Sequence, residues 1–560
     1  MKLSDYIFQR LYDLGVSDVF CIPGESVQDL YRGLLHSKSK SILLAHEPSV
    51  GYAADAYSRL KGLGAVLVSY GVGSLNLVNA VGQAYAESSP MIVLSGGPGI
   101  VERKKYSLLH HKVRTFQTQQ KVFDEITAMS IIIDSPTTAL EKIELAFQTA
   151  LSYKKPVYVE IPRDISICEV EYKVPEITSP LYQSTDSESL NEALSEVIEL
   201  LNKAEKPVIL AGVEISRIKM QKELAEFVEK SGLPIASDLL GKSVFPEGHI
   251  QSLGTFFGKL SNPLAGRYLE DADLILSLGT ILSDVSLGMF SFQLDRTKMI
   301  EARIDGLRVK NHMYPDLTLR QLLEGLLSSE KLRSRLIGGK YTSILKRENI
   351  FTEIPDQKIN SEFVQKILNQ FVNRENAPAY RIVSDVGDCL FIGQGLDISK
   401  ISSFLSPAYY LSMGFSIPGG IGAQIADPSQ RSLILIGDGA FQMTGLEIIS
   451  ASRLGLNPII VLLNNGVYAT LEGVESAPVP ESYNIGKYEY YKLAEVFGGI
   501  GYKVGTTQEL QEALHKAETE NTGKPIIIQV DLEIDDKSPV LKAFGAMMGE
   551  SNEESAKALN

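Results

Sequence analysis

The sequence predicts an α/β protein of three domains, each built on a mostly parallel sheet flanked by helices. Three observations carry this reading. Short, β-branched apolar runs alternate with helical spacings along most of the chain, the pattern of successive β-α-β units. Two polar stretches, at about 166–190 and 336–358, divide the 560 residues into three lengths, each enough for one domain. Residues 66–73 and 90–95 recur as 433–440 and 458–463, at offsets of 367 and 368, so the first and third lengths repeat one strand-helix-strand unit.

The elements follow in order. In the first domain (1–170), Asp18-Val-Phe-Cys-Ile-Pro-Gly24 reads as a strand and a loop. Ser41-Ile-Leu-Leu-Ala-His-Glu47 reads as a strand leading into a helix from Pro48, because proline suits the first helical turn. Residues 64–69 and 90–95 read as strands with a helix over 75–87 between them, and 155–162 closes the domain. The middle domain (190–335) has strands at 207–212 and 274–279 but no glycine-rich dinucleotide fingerprint, so its doubly wound look implies no cofactor. The third domain (358–540) contains Arg431-Ser-Leu-Ile-Leu-Ile-Gly437-Asp438-Gly439, a helical spacing at Leu446, Ile449 and Leu454, and Pro458-Ile-Ile-Val-Leu-Leu-Asn464-Asn465. A polar tail from Glu550 is expected to fray.

Composition narrows the function. The net charge of −14, from 54 basic and 68 acidic residues, disfavours nonspecific binding to nucleic acid or an anionic membrane. The 3 cysteines, Cys21, Cys168 and Cys389, are too far apart for a metal-ligand motif or a disulfide framework. With no signal-peptide core at Met1-Lys-Leu-Ser-Asp-Tyr and no long apolar run, a cytoplasmic location is expected.

The most informative chemistry lies in the third domain. A right-handed crossover puts the ends of both its decisive strands on one sheet edge, which sets Asp438 and Asn465 side by side where open α/β sheets bind ligands. A carboxylate, an amide oxygen and turn carbonyls are hard ligands suited to Mg²⁺ or Ca²⁺, and Mg²⁺ commonly completes its shell with phosphate oxygens. Gly437 and Gly439 let backbone N–H groups approach such a phosphate. A Gly-Asp-Gly turn alone is common and merely joins a strand to a helix; the paired asparagines at the end of the next strand give it meaning.

The spacing from Gly-Asp-Gly to Asn-Asn resembles the cofactor motif of thiamine diphosphate enzymes. The resemblance extends to His46-Glu47-Pro-Ser-Val-Gly-Tyr-Ala-Ala-Asp-Ala-Tyr, Leu109-His110-His111-Lys-Val, Asp385-Val-Gly-Asp388-Cys-Leu-Phe and Tyr409-Tyr-Leu-Ser-Met413-Gly-Phe. Together these look like the 2-oxo acid decarboxylases of the pyruvate, indolepyruvate and phenylpyruvate group, the last most of all. The resemblance implies pyrimidine-binding, middle and diphosphate-binding domains, thiamine diphosphate and Mg²⁺ as cofactors, and self-association as a homodimer or homotetramer with the site shared between subunits.

Roles follow residue by residue. The resemblance makes Glu47 the carboxylate that bonds the aminopyrimidine ring nitrogen; in a poorly hydrated pocket such a group can share a proton with the ring and so help form the thiazolium ylide. Met413, which alone would read as core packing, supports the bent cofactor, and the Leu411 carbonyl receives the pyrimidine amine. Ser69 and Gly71 lie close to the pyrimidine, and Asp388 joins the cofactor contacts. Asp438, Asn465 and the Val467 carbonyl hold the metal, and the Gly439 and Ala440 amides meet the diphosphate at a helix start. His110 and His111 distinguish decarboxylases from carboligases, because the carbanion-enamine left after CO₂ loss needs a proton and histidine delivers one near neutral pH.

Two departures leave alternatives open. Decarboxylases of this kind commonly carry aspartate where Pro23-Gly24-Glu25 has glutamate; Glu25 acts as the same acid or hydrogen-bonds the loop. The late glutamate of the pyruvate decarboxylase pattern falls on Leu471, with Glu472 one residue on, and the phenylpyruvate decarboxylase pattern offers Asp284 instead, otherwise a helix N-cap. The competing functions are a thiamine-dependent carboligase of the acetolactate synthase type and a non-catalytic cofactor-binding paralogue.

Overall fold

The computed structural model describes residues 1–175, 187–335, 353–474, 480–520 and 523–559. These form two compact units. One is Met1–Gln183 with Ile417–Pro428 and Leu446–Leu454; the other is Ser184–Ser416 with Ser429–Gly445 and Gly455–Asn560. Of the polar stretches expected as linkers, 176–186 in the first and 336–352 in the second fall outside the described residues.

Three sheets are present. The first is wholly parallel: β1 (Asp18–Cys21), β2 (Lys40–Leu43), β3 (Gly64–Val68), β4 (Met91–Gly97), β5 (Met129–Ile132) and β6 (Val157–Pro162), in the order β2-β1-β3-β4-β6-β5. The middle sheet runs β13-β12-β11-β10-β7-β8-β9, from β7 (Pro207–Ala211), β8 (Ile235–Ser237), β9 (Ser252–Thr255), β10 (Leu274–Leu278), β11 (Met299–Arg303), β12 (Gly306–Val309) and β13 (His312–Tyr314). Only its last two strands pair antiparallel, through the hairpin at Arg303–Gly306 and the next turn. The third sheet is parallel again: β14 (Tyr380–Ser384), β15 (Phe404–Leu405), β16 (Arg431–Gly437), β17 (Ile459–Asn464), β18 (Ile500–Val504) and β19 (Ile526–Asp531), in the order β15-β14-β16-β17-β19-β18. Strand for strand, this is the order of the first sheet. The central strands are buried on both faces, which is why they read as unbroken apolar runs.

The register corrects the repeat. Gly64 pairs with Met91 and Leu433 with Ile459. Matching β4 to β17 at the offset of 368 therefore matches Gly64 to Leu433, an offset of 369 rather than 367. Val68 then corresponds to Gly437, and Ser69 to Asp438.

Three local readings also change. The run from Ser41 to Glu47 is only half strand: β2 ends at Leu43, and Glu47 is the first residue of the helix Glu47–Lys61. The cause is visible at Ala45, whose N–H leaves the sheet ladder for the Glu447 carboxylate, 3.1 and 3.2 Å from its two oxygens. The short edge strand β5 had no distinctive pattern to announce it. The tail does not leave regular structure, since the helix Pro539–Leu559 carries it, in keeping with its Glu, Ala and Lys content.

Close backbone approaches fix the first unit around the helix Glu47–Lys61. A Cβ on Gly51 would lie 2.5 Å from Cβ of Ala80 on the helix Val78–Ala86, so only glycine permits this spacing. The middle sheet closes its own carboxyl edge: a Cβ on Gly212 would lie 2.3 Å from the Gly279 carbonyl oxygen, and Gly241 packs on Gly212 in turn.

Candidate active site

In the first unit, Glu47 opens its helix where the free N–H groups favour a negative charge. Asn76 Nδ2 donates to Glu47 Oε2 at 2.9 Å and lies 3.1 Å from His46 Nε2. The carboxylate is half-buried in the single chain. The turn leaving β3 is held from beneath. Ser69 Oγ pairs with Ser26 Oγ at 2.9 Å, and a Cβ on Gly24 would strike the Ser69 side chain at 2.7 Å. Gly71 has φ of 69°, a conformation natural to glycine, and its N–H donates to Gln119 Oε1 at 2.7 Å. Gln119 belongs to a buried set with Ser95, Tyr158 and Glu160; burial raises the acid strength threshold of both Tyr158 and Glu160, pushing their pKa values up.

The two histidines come together with Glu25. His110 Nε2 lies 3.0 Å from Glu25 Oε2, and the His110 and His111 rings meet edge to face at 4.7 Å. His111 has φ of 65°, and its backbone sits so close to Gly71 that a Cβ there would lie 2.6 Å from the His111 carbonyl oxygen. The expected acid and the histidine pair therefore line one pocket beside the turn leaving β3, with Tyr70, Glu102 and Arg163. The sequence reading missed Arg163, which donates to Glu25 Oε1 at 2.5 Å and to both oxygens of Glu102. Arg163 holds the Glu102 carboxyl below the usual carboxylate range, and Glu102 pushes the guanidinium up.

In the second unit, the register brings Asp438 and Asn465 to adjacent strand ends, Gly437 pairing with Leu463. Asp438 is buried, 3% exposed, and its carboxylate accepts the N–H of Gly439 at 2.9 Å and of Gly466 at 2.6 Å. Burial pushes its pKa up to about 6, because these N–H donors only partly offset lost hydration. The Asn465 amide oxygen accepts from Val467 N–H at 3.1 Å, and the Val467 carbonyl accepts from Ala469 N–H at 2.9 Å; each oxygen keeps a second lone pair. The Gly439 N–H, expected to meet a diphosphate, here donates to the carboxylate of its neighbour, and Gly439 is required because a Cβ would lie 2.4 Å from the Tyr468 ring. Ala440 is buried in the first turn of the helix Asp438–Thr444. At Gly437, by contrast, a Cβ would meet nothing within 4 Å, so the residue before the carboxylate is uncrowded.

A second buried acid organises the loop that carries Leu411 and Met413. Asp385, 0% exposed, accepts the N–H groups of Gly414 at 3.1 Å and Ser416 at 2.9 Å, and burial pushes its pKa up. Leu411 has φ of 60°, a strained conformation for a branched side chain, costing about 1–2 kcal/mol. Met413 is half-buried. Asp385 was quoted only as part of a motif; its place at the end of a buried strand was the available signal. Asp388, expected among the cofactor contacts, accepts the Ser538 N–H at 2.9 Å, while its Oδ1 is buried without a hydrogen-bond partner. Asp284 is exposed in a turn rather than at a helix N-cap. Glu472 lies on the helix Ala469–Val474, with its side chain outside the described residues.

The donor set fits a hard divalent cation. Among the described residues no group of three His, Cys, Asp or Glu side chains is placed for a metal, which leaves mixed oxygen donors. Asp438 has only backbone N–H partners there, and Asn464 Oδ1 is buried with no partner. A cation would neutralise the first. Also among the described residues, no helix is long and apolar enough to cross a membrane.

Comparison with known proteins agrees with these two halves. Residues 1–129 match the N-terminal thiamine pyrophosphate-binding domain, 194–328 the central domain and 385–530 the C-terminal thiamine pyrophosphate-binding domain of the thiamine pyrophosphate enzymes. The chain is 34% identical to an indole-3-pyruvate decarboxylase of Azospirillum brasilense over 92% of its length and 93% of the relative's. It is 29% identical to pyruvate decarboxylase 1 of Pisum sativum, over 98% and 93% respectively. It is 30% identical to pyruvate decarboxylase 1 of Arabidopsis thaliana, over 98% and 91%. With the repeat of one sheet topology, a carboxylate and an amide oxygen at the edge of one copy and a Glu-His-His cluster in the other, the chain belongs to the thiamine pyrophosphate enzymes, in the family that holds the indole-3-pyruvate and pyruvate decarboxylases.

Proposed function

We propose that this protein decarboxylates an aryl or indolyl 2-oxo acid, phenylpyruvate or indole-3-pyruvate, without oxidation, releasing an aldehyde and CO₂. The observation that carries the reading is the contact of His110 with Glu25, with His111 against the same turn. Decarboxylation leaves a carbon that must gain a proton, and this cluster gathers groups able to supply one near neutral pH. Bound thiamine diphosphate supplies the electron sink that accepts the pair released with CO₂. Glu47 holds a proton at the pyrimidine ring nitrogen, oriented by Asn76. The Leu411 carbonyl accepts the ring amine, and Asp385 fixes the loop that presents it. Asp438, Asn465 and the Val467 carbonyl hold Mg²⁺ and thereby the diphosphate. Asp284 or Glu472 supplies a further acid to the substrate.

The protein acts as a homodimer or homotetramer, in which the Glu47 half and the Asp438 half of each site come from different copies. Supporting this, the second unit exposes Tyr409, Tyr410, Leu411 and Met443, and the first exposes Val72, Leu446 and Ile449, apolar side chains close in sequence to the site residues. The test is a panel of pyruvate, branched-chain, phenyl and indolyl 2-oxo acids, following CO₂ and aldehyde with and without an acceptor aldehyde. Equimolar aldehyde and CO₂ from the aromatic acids is the expected result. A hydroxyketone as main product would make the protein a carboligase, and no CO₂ from any acid a non-catalytic binder.

A further inference from the structure

We propose that Arg163 is a positioning residue that aims Glu25 at His110, an inference that rests on the decarboxylase reading. Arg163 directly follows β6, and its neighbour Asp164 accepts the N–H groups of Ile100 at 2.9 Å and Val101 at 3.0 Å. Glu102 closes the same turn by accepting the Gly99 N–H at 2.9 Å. The pair Arg163–Asp164 thus grips the start of the segment that leads to His110 and His111. The Arg163 guanidinium then reaches the other contributor: Nε and Nη2 bind Glu102, while Nη1 takes Glu25 Oε1 at 2.5 Å. One side chain spans both loops.

The geometry constrains Glu25 strongly. With Oε1 occupied by Arg163, the oxygen left for proton exchange is Oε2, 3.0 Å from His110 Nε2. Glutamate has one more rotor than aspartate and would otherwise swing; a planar guanidinium fork supplies the restraint. The other charged groups facing the pair are committed elsewhere or lie farther along. Glu102 is held by Arg163, Arg103 donates to Glu160 at 2.5 Å, and Lys112 donates to the Ser107 carbonyl. His111 contributes its ring edge. Arg163 and Glu25 have side chains 41% and 51% exposed, so the ion pair adds little to stability, and its role is aim and charge.

The test uses the full chain with thiamine diphosphate and Mg²⁺, comparing Arg163→Gln and Arg163→Lys with the unaltered protein on the best 2-oxo acid of the panel. Arg163→Gln should lower kcat/KM about 10- to 100-fold, the usual cost of an orienting partner. The loss should fall on kcat, with KM within a few-fold of the unaltered protein, because Arg163 acts through Glu25 and His110 rather than on the substrate. The thermal midpoint should change little. Arg163→Lys keeps the charge without the fork, and should recover only part of the rate. Histidine-ring NMR, tractable with 7 histidines, should show the His110 ring signals displaced in Arg163→Gln at one fixed pH, as the contact with Glu25 loosens, whether or not the protein turns over. Unmoved His110 ring signals together with an unchanged kcat would overturn the proposal. Absence of CO₂ from the unaltered protein would overturn the decarboxylase reading instead, with the ring signals still deciding on Arg163.

Discussion

β3 and β16 hold the same place in two sheets of identical strand order, yet the turns that leave them differ in kind. After β16 the chain enters a helix at once, with Asp438 as its first residue. After β3, at the matching position, stands Ser69, and several residues pass, including the left-handed Gly71, before the short helix Leu75–Leu77 begins. The next strands continue the contrast: β17 leads into Asn465, and the register-matched residue at the end of β4 is Gly97. One edge therefore offers a carboxylate and an amide oxygen, the donors a divalent cation requires. The other offers a hydroxyl, glycines and space into which His111 fits. A repeated fold can thus present two unlike faces through a few residues at the strand ends, while the sheets beneath stay the same.

The turns after β1 and β14 repeat the lesson. Pro23-Gly24-Glu25 and Val386-Gly387-Asp388 each put an acid behind a glycine. Glu25 is half exposed and meets His110 and Arg163. Asp388 is half-buried at the start of its helix, accepts the Ser538 N–H, and desolvation pushes its pKa up. The first acid is placed against a histidine and an arginine, and the second fastens the chain entering the helix Pro539–Leu559.

The sharpest way to break this comparison is to make the two edges alike. Asp438→Ser gives the third sheet the hydroxyl of the first. Mg²⁺-dependent retention of thiamine diphosphate should weaken by at least about 100-fold, beyond the cost of losing an outer partner of a metal ligand. Equilibrium dialysis with and without chelator measures this. Unchanged retention would mean that the acid-bearing edge is not the metal site.

The complementary change tests the other edge. Glu47→Gln keeps the shape and the Asn76 neighbour but cannot share a proton as a carboxylate does. Turnover should fall by about 10²–10⁴-fold, the range for a positioned acid-base group, while cofactor retention stays within a few-fold of the unaltered protein. If retention falls instead, Glu47 is a binding group and the division of labour between the edges fails.

Much of this contrast was legible in the sequence because it depends on what stands at the ends of long, β-branched strands. Asp438, Asn465 and the repeat itself were found that way. The two-residue slip of the repeat was not, since strand pairing sets register and the apolar runs of parallel strands look alike at every shift. Arg163 and Glu25 are 138 positions apart, and Arg163 follows a strand whose pattern announces only burial. Asp385 was hidden for the opposite reason: its partners are backbone N–H groups of Gly414 and Ser416, which carry no residue signature. The position of Glu47 shifted from strand end to helix start because the contact that ends β2 early, between Ala45 and Glu447, spans 402 residues.

The middle sheet gives the smallest and most selective test, because its carboxyl edge also carries a buried acid but has no room beside it. Asp238 is 0% exposed and accepts N–H groups from Gly241 at 2.6 Å and Ile281 at 3.2 Å. Burial, with Glu214 nearby, pushes its pKa up to about 7, and the packed Gly212, Gly241 and Gly279 backbones leave no place for a cation to offset this. The folded pKa lies above the unfolded one, so the folded protein binds the extra proton; stability from Asp238 is complete below the unfolded pKa and is lost as pH rises through about 7. From pH 6 to 8 the expected loss is about 1.4 kcal/mol for this single group. In Asp238→Asn that part of the slope should vanish, because the amide does not titrate, and thermal unfolding of both forms at pH 6 and pH 8 reads the difference. An identical slope in the two proteins would show that an enclosed acid at a sheet edge is already ionised here, and that space for a cation is not what separates the Asp438 edge from the Asp238 edge.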